Sequence, residues 1–333
     1  MKDSKTLKSF IRFVVKVALI GLMAFGVWKF IFWYFWEYDR GPEAYASSYQ
    51  RALLRQIYAL EDEDRDPEII VFGSSYVPFG IDTKTLETTV GDGRKAQILG
   101  IEAAIGVPYL IHVLEETAKP GDTVVYMLGE SNPVNTDLIS VSAALEPDKE
   151  KLFAFWKWRD ASLPKSYLTW RKFYAFIVSP VSNKLLEKYS KKQPVYNVSS
   201  FDENGNMTVE RIGSEMSFNE SHNDVIKIDE VEEGSIEALN EFEKWCAEND
   251  VEFLITYSPT VEESWQQSDE MFKSFDADVE AAVNAPVLGG FEDYTLPAEY
   301  FFNHDLHLNS EGAVKYSEIL GERLKEYYGQ RSL

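Results

Sequence analysis

The stretch EIIVFGSSYVPFGID, residues 68–82, decides how this 333-residue chain is read. Ile69, Ile70, Val71 and Phe72 form an unbroken β-branched and aromatic run that ends in Gly73-Ser74-Ser75. A short apolar run closed by turn residues is the pattern of a strand buried on both faces. A serine just past such a strand has its hydroxyl at the C-terminal edge of the sheet, where open α/β proteins hold their sites. The backbone N–H groups that follow can face an oxyanion. Taken alone, Gly-Ser-Ser is ordinary turn chemistry, so the rest of the chain must supply or refuse a partner for the hydroxyl.

Outward from this stretch the arrangement repeats. AQILGIEAAIG (96–106) is a short strand, a glycine and small residues, entering a helix at PYLIHVLEETA. PGDTVVYMLGESN (120–132) is a Pro-Gly turn, a β-branched strand, then Gly and polar residues. SIEALNEFEKWCAEND (235–250) has helical period, VEFLITYSP (251–259) is a fourth strand, and NSEGAVKYSEILGERLKEYY (309–328) is a closing amphipathic helix capped by Asn309 or Ser310. Strands alternating with helices predict an α/β fold, a parallel sheet covered on both faces. Residues of about 137–230 interrupt the alternation as an insertion. Its first part, 151–176, is aromatic and basic, and its second, VYNVSSFDENGNMTVERI (195–212), flanks an Asn-Gly turn and predicts a hairpin. Trp156, Trp158, Tyr167, Trp170 and Tyr174 could stack on sugar rings, or simply pack against the body.

The first residues differ from the rest. Residues 1–16 carry Lys2, Lys5, Lys8, Arg12 and Lys16, a basic cytoplasmic tail. Residues 17–36, VALIGLMAFGVWKFIFWYFW, hold a single charge, Lys29, and suit one transmembrane helix. The expected layout is thus a tail, an anchor at 17–36, a polar and partly helical linker at 37–67, and an α/β domain at 68–330 outside the cytoplasm. The formal charge of −22 argues against nucleic acid as a partner. A single cysteine, Cys246, rules out an intrachain disulfide and any CxxC motif.

A second polar stretch, FFNHDLHLNSEGA (301–313), holds two of the four histidines, His304 and His307, around Asp305. A serine hydroxyl needs a base to take its proton, and the base needs a group that holds its tautomer. His307 and Asp305 offer both from one loop, with Asn303 and His304 as neighbouring substrate contacts. Zinc wants three or four ligands from separated positions, and no third His or Cys cluster appears, so no metal is expected. His112 and His222 sit in no motif.

In this order, Gly73-Ser74-Ser75, Gly100, GESN (129–132) and Asp305/His307 resemble the blocks of the SGNH (GDSL-type) hydrolases. The resemblance spans roughly 67–135 and 236–328 and implies a three-layer, flavodoxin-like α/β/α domain. The single anchor, GSS in place of Gly-Asp-Ser and HLNSEGA after the last strand are similar to the membrane-anchored, extracytoplasmic branch. That branch includes the DltD proteins of teichoic-acid D-alanylation and the AlgJ/AlgX-type proteins of alginate O-acetylation. By this resemblance Ser75 is the nucleophile, Ser74 takes the Asp position of the block, and His307 and Asp305 complete a triad. Backbone N–H groups of Ser75 and Gly100, with the Asn132 side chain, would form the oxyanion hole. Two blocks depart from the pattern: Asn132 falls one residue late, and Asp305 precedes His307 by two residues where most relatives have three.

The resemblance implies a cofactor-free acyltransferase or esterase in a bacterial cell envelope. It would O-acetylate or deacetylate an exported polysaccharide beside a membrane-bound O-acyltransferase. A catalytically inactive adaptor that scaffolds such an acyltransferase is the alternative, and a stand-alone esterase working without a partner is the third reading.

Overall fold

A computed structural model describes residues 2–34, 49–102, 105–129, 169–170, 173–174, 195–212 and 233–331. The opening segment is β1 (Glu68–Phe72), and Ile69 to Phe72 are fully buried. It lies between β2 (Lys95–Leu99) and β3 (Thr123–Leu128), with β4 (Glu252–Tyr257) beyond β3. All three pairings are parallel, giving a four-stranded sheet in the order β2-β1-β3-β4. The buried residues of all four strands belong to one apolar core.

Connection handedness sorts the helices. The chain leaves β1 towards β2 through α3 (Tyr76–Gly80) and α4 (Thr83–Val90), then reverses past β1 to β3 and β4. Right-handed crossovers in opposite directions put their helices on opposite faces. Accordingly α4 packs with the last helix, while α5 (Val107–Thr117), from the second crossover, packs with α6 (Glu233–Glu248), from the third. The chain direction switches between β1 and β3, so the crevice at their C-terminal ends is the expected position of a site. Ser75 stands at that edge.

The expected linker, read as polar and partly helical, contains a helix that packs on the body. Residues 35–48 lie outside the described residues, but α2 (Gln50–Leu60) falls inside 37–67 and is no spacer. Ala52, Leu53, Leu54, Gln56, Ile57 and Leu60 are buried, and the helix packs on β2. Its apolar residues recur at helical spacing, and that stripe needs a core to cover it.

At the opposite, N-terminal edge of the sheet, Asp122 is fully buried. It accepts from Arg65 Nη1 (2.8 Å) and Nη2 (2.6 Å) and from the backbone N–H groups of Glu68 and Lys119 (2.8 Å each). Four donors, two of them charged, satisfy a carboxylate that burial would otherwise make costly.

After β4 come β5 (Thr260–Val261), α7 (Glu262–Ala282) and β6 (Thr295–Leu296), which pairs with β5. A small antiparallel hairpin of β7 (Phe301–His304) and β8 (His307–Leu308) comes next. The closing helix α8 (Ser310–Arg331) is capped by Asn309, whose Oδ1 accepts from the Gly312 N–H at 2.9 Å. Of the insertion, 195–212 forms a short hairpin in which Phe201 bridges Met207 antiparallel and Gly205 takes φ +82°. The aromatic-basic stretch lies outside the described residues, save for Thr169, Trp170, Phe173 and Tyr174.

The first helix, α1 (Lys2–Phe32), contains the span Thr6–Phe32, which is long and apolar enough to cross a membrane. Residues 6–27 are exposed throughout.

Candidate active site

Ser75 comes three residues after β1 and is the N-cap of the one-turn helix α3. The strand end and the next strand end are held close: the Gly73 N–H donates to Leu99 O at 3.2 Å. A Cβ on Gly100 would lie 2.2 Å from Gly73 O, a backbone atom that cannot move aside. Only glycine at position 100 permits this approach. Ser74 is buried, and its carbonyl accepts from the Val77 N–H at 3.1 Å. Ser75 is partly exposed, and its N–H has no acceptor among the described residues.

His307, on β8, arrives from 232 residues away, and its Nε2 is 2.9 Å from Ser75 Oγ. The imidazole is 9% exposed and stacks face to face on Phe79, with ring centres 4.0 Å apart and planes 8° apart. Ser75 and Phe79 are four residues apart, one helical turn, so hydroxyl and ring meet the same imidazole. The stack fixes the ring plane, and the hydrogen bond fixes the ring's direction within it.

The other ring nitrogen has a partner that the sequence reading named only as a neighbour. His307 Nδ1 is 2.9 Å from Asn303 Oδ1. The Asn303 amide nitrogen in turn donates to the Tyr196 phenol at 3.1 Å. This orientation makes Nδ1 the protonated nitrogen and leaves Nε2 bare to accept from Ser75. Asp305, expected at Nδ1, lies in the turn between β7 and β8 and is partly exposed. A two-residue turn places β7 directly across from β8, which brings Asn303 within reach of the ring.

Gly100 departs from its expected role as well. Its N–H donates to Gln56 Oε1 at 3.0 Å, in a buried bond to α2. That donor is committed away from the serine, and Gly100 serves the site through close packing instead. Asn132 lies outside the described residues, as does the side chain of His304. Among the described residues no group of three or more His, Cys, Asp or Glu could hold a metal.

Three contributors carry no mark in the sequence motifs: Phe79, Gln56 and Tyr196. Phe79 had a signal, its four-residue offset from Ser75. Tyr196 comes from the insertion, and no local pattern tells which inserted residue folds back onto a site. Tyr196 also packs edge-on against Tyr49, just before α2, at 5.2 Å. Tyr49 donates its hydroxyl to Ile101 O at 2.8 Å, which ties the start of α2 to the loop after β2.

No protein-family model matches the chain, and no curated protein matches it. Among solved structures, one from Streptococcus pneumonia described as a platelet activating factor is similar at a TM-score of 0.35 and 12% identity, covering 84% of this chain and 92% of that one. So distant a likeness carries no argument about function.

Proposed function

We propose that the chain is a serine-dependent acyl-transfer enzyme in which Ser75 attacks an acyl ester or thioester. The observation that carries this reading is the 2.9 Å contact between Ser75 Oγ and His307 Nε2. In this reading His307 takes the Ser75 proton as the Oγ–carbon bond forms, then gives it to the leaving oxygen or sulfur as the acyl-enzyme forms. Water or an acceptor hydroxyl then attacks the acyl-enzyme, with His307 again as base. Asn303 holds the imidazole tautomer, the part played by the Asn of a Cys-His-Asn arrangement. The free Ser75 N–H is the oxyanion donor, and Asn132 remains a second one. Asp305 remains the expected carboxylate of the triad, and Ser74 and His304 remain expected substrate contacts.

The finer reading names acetyl as the acyl group, an exported polysaccharide as acceptor and a membrane-bound O-acyltransferase as partner. Its support is the sequence resemblance, together with an apolar helix fit to hold the domain at a membrane with its N-terminus in the cytoplasm. One observation favours the inactive adaptor: the Gly100 N–H is already bonded to Gln56, which leaves Ser75 the only backbone donor of the expected pair.

The test uses the full chain in detergent, a fluorophosphonate probe and an aryl acetate. Labelling and ester cleavage that vanish in both Ser75→Ala and His307→Ala are expected. Folded wild type that neither labels nor cleaves would move the adaptor into first place.

A further inference from the structure

Arg211 is 4% exposed, yet it has no carboxylate within salt-bridge distance among the described residues. Its Nε donates to Leu308 O at 3.1 Å and its Nη2 to Phe79 O at 3.4 Å. Its Nη1 is buried and has no hydrogen-bond partner among the described residues. The backbone on either side is pinned too: the Arg211 N–H donates to Ser310 Oγ at 3.0 Å, and Ser310 N–H returns a bond to Arg211 O at 3.2 Å. Burial pushes the guanidinium down to about 10, with Asp82 opposing, so it stays charged at neutral pH.

A buried cation without an ion-pair partner is costly, and an apolar side chain of the same size would generally be more stable. Its position indicates what it is kept for. Phe79 O belongs to the residue that stacks on His307, and Leu308 O to the residue next after His307 in the chain. The guanidinium carbon lies 5.4 Å from the centre of the Phe79 ring, and that ring lies 4.0 Å from the imidazole. Together these separations cap the distance from cation to imidazole at about 9.4 Å, through low-dielectric material rather than water.

We infer that Arg211 is a positioning residue with two actions on His307. It clamps the helix that carries Phe79 to the strand that carries the base, and its charge keeps the imidazole unprotonated and so able to accept the Ser75 proton. The inference rests on the reading of His307 as the base. The Ser75 hydroxyl at the start of α3 meets His307 Nε2, the Asn303 amide on β7 meets Nδ1, and the Tyr196 phenol of the insertion accepts from that amide. The carboxylates are Asp305 in the β7–β8 turn and Asp82 beside Arg211. Asp82 is occupied as N-cap of α4, where its Oδ1 accepts from the Thr85 N–H at 2.8 Å.

At an effective dielectric constant of about 20, removing a unit charge some 9 Å away raises an imidazole pKa by about one unit. The experiment titrates His307 directly. Full-length protein with 13C-labelled histidine is followed by NMR across pH, and His307→Gln identifies the resonance among the four histidines. Arg211→Met is expected to raise the His307 midpoint by about one unit. Arg211→Lys keeps the charge but loses the two-carbonyl fork. It should leave the midpoint near wild type while slowing fluorophosphonate labelling. If Arg211→Met does not fold, Arg211→Gln, which keeps a donor for Leu308 O, carries the same test. A midpoint that stays at the wild-type value in a folded, charge-free variant overturns the inference. Because the titration needs no turnover, a wild type that titrates as expected but never labels would sink the acyl-transfer reading and leave the electrostatic one standing.

Discussion

Asn303→Asp is the substitution whose outcome the site geometry specifies most closely. The amide oxygen lies 2.9 Å from His307 Nδ1. An amide can present either oxygen or nitrogen to the ring, whereas a carboxylate can only accept. Aspartate would therefore enforce the Nδ1–H tautomer outright and add a negative charge about 4 Å from the imidazolium centre. At an effective dielectric constant of about 20 that attraction is about 4 kcal/mol, but Asn303 is exposed and water screens most of it. A net of about 1–2 kcal/mol, or roughly one pKa unit, is the realistic size. The sign comes from the charge: the carboxylate favours the imidazolium, so the midpoint of the acid limb moves up by about one unit. Above that limb the imidazolium formed during attack is also stabilised, so the plateau rate rises by up to about tenfold. Asn303→Leu removes any acceptor from Nδ1 and should slow acylation by at least about tenfold with no gain at any pH. Initial rates of aryl acetate cleavage and of fluorophosphonate labelling across pH measure both. An acid limb unmoved in a folded Asn303→Asp protein would mean that residue 303 does not contact the imidazole, and the assigned tautomer would fall with it.

Four further outcomes concern the packing. Arg65→Ala strips Asp122 of its two charged donors inside the fold and should cost about 3–5 kcal/mol in denaturant unfolding, with Arg65→Ala/Asp122→Ala costing less than the two single changes together. Gly100→Ala drives a Cβ into Gly73 O and should lower stability by about 3 kcal/mol and abolish serine labelling, read by thermal unfolding and by the probe. Gln56→Leu leaves the Gly100 N–H buried and unbonded, a loss of about 1–3 kcal/mol that the same unfolding assay would detect. Burial, partly offset by the Phe291 N–H, holds the Asp276 carboxyl above the usual carboxylate range. A raised pKa favours the folded state when the group is protonated, and that contribution is lost as pH rises through the folded value. Asp276→Asn should therefore gain stability relative to wild type at neutral pH more than at pH about 4, compared by denaturation at both.

The parts of the fold legible in the sequence were those written in local patterns. Short apolar runs closed by turn residues and alternating with helical periods made β1 to β4 and their parallel pairing readable. The meeting of Ser75 with His307 was anticipated from chemistry, because a hydroxyl at a strand end asks for a base. What holds that base was not readable. Asp305 was expected there because carboxylates orient imidazoles, and that Asn303 also reaches the ring depends on where a two-residue turn falls. Gly100 was read for its N–H, whereas its missing side chain is what the packing uses, and the N–H was taken by a glutamine 44 residues earlier. The buried stripe of α2 was visible at helical spacing but hidden by the polar sequence around it.

The way α2 is built into the domain has a mechanical consequence. Fourteen residues, 35–48, separate the described part of the first helix from Tyr49, where the folded body begins. A chain of that length spans at most about 50 Å when drawn out fully. If the helix is embedded in a bilayer, a connection of at most that length keeps the serine within reach of the lipid surface. There it meets whatever another membrane component presents at a high effective concentration, with no affinity needed between them. Lengthening the connection would dilute the encounter without altering a single contact in the site, while shortening it would at some point pull on Tyr49 and, through Ile101, on the loop beside the nucleophile.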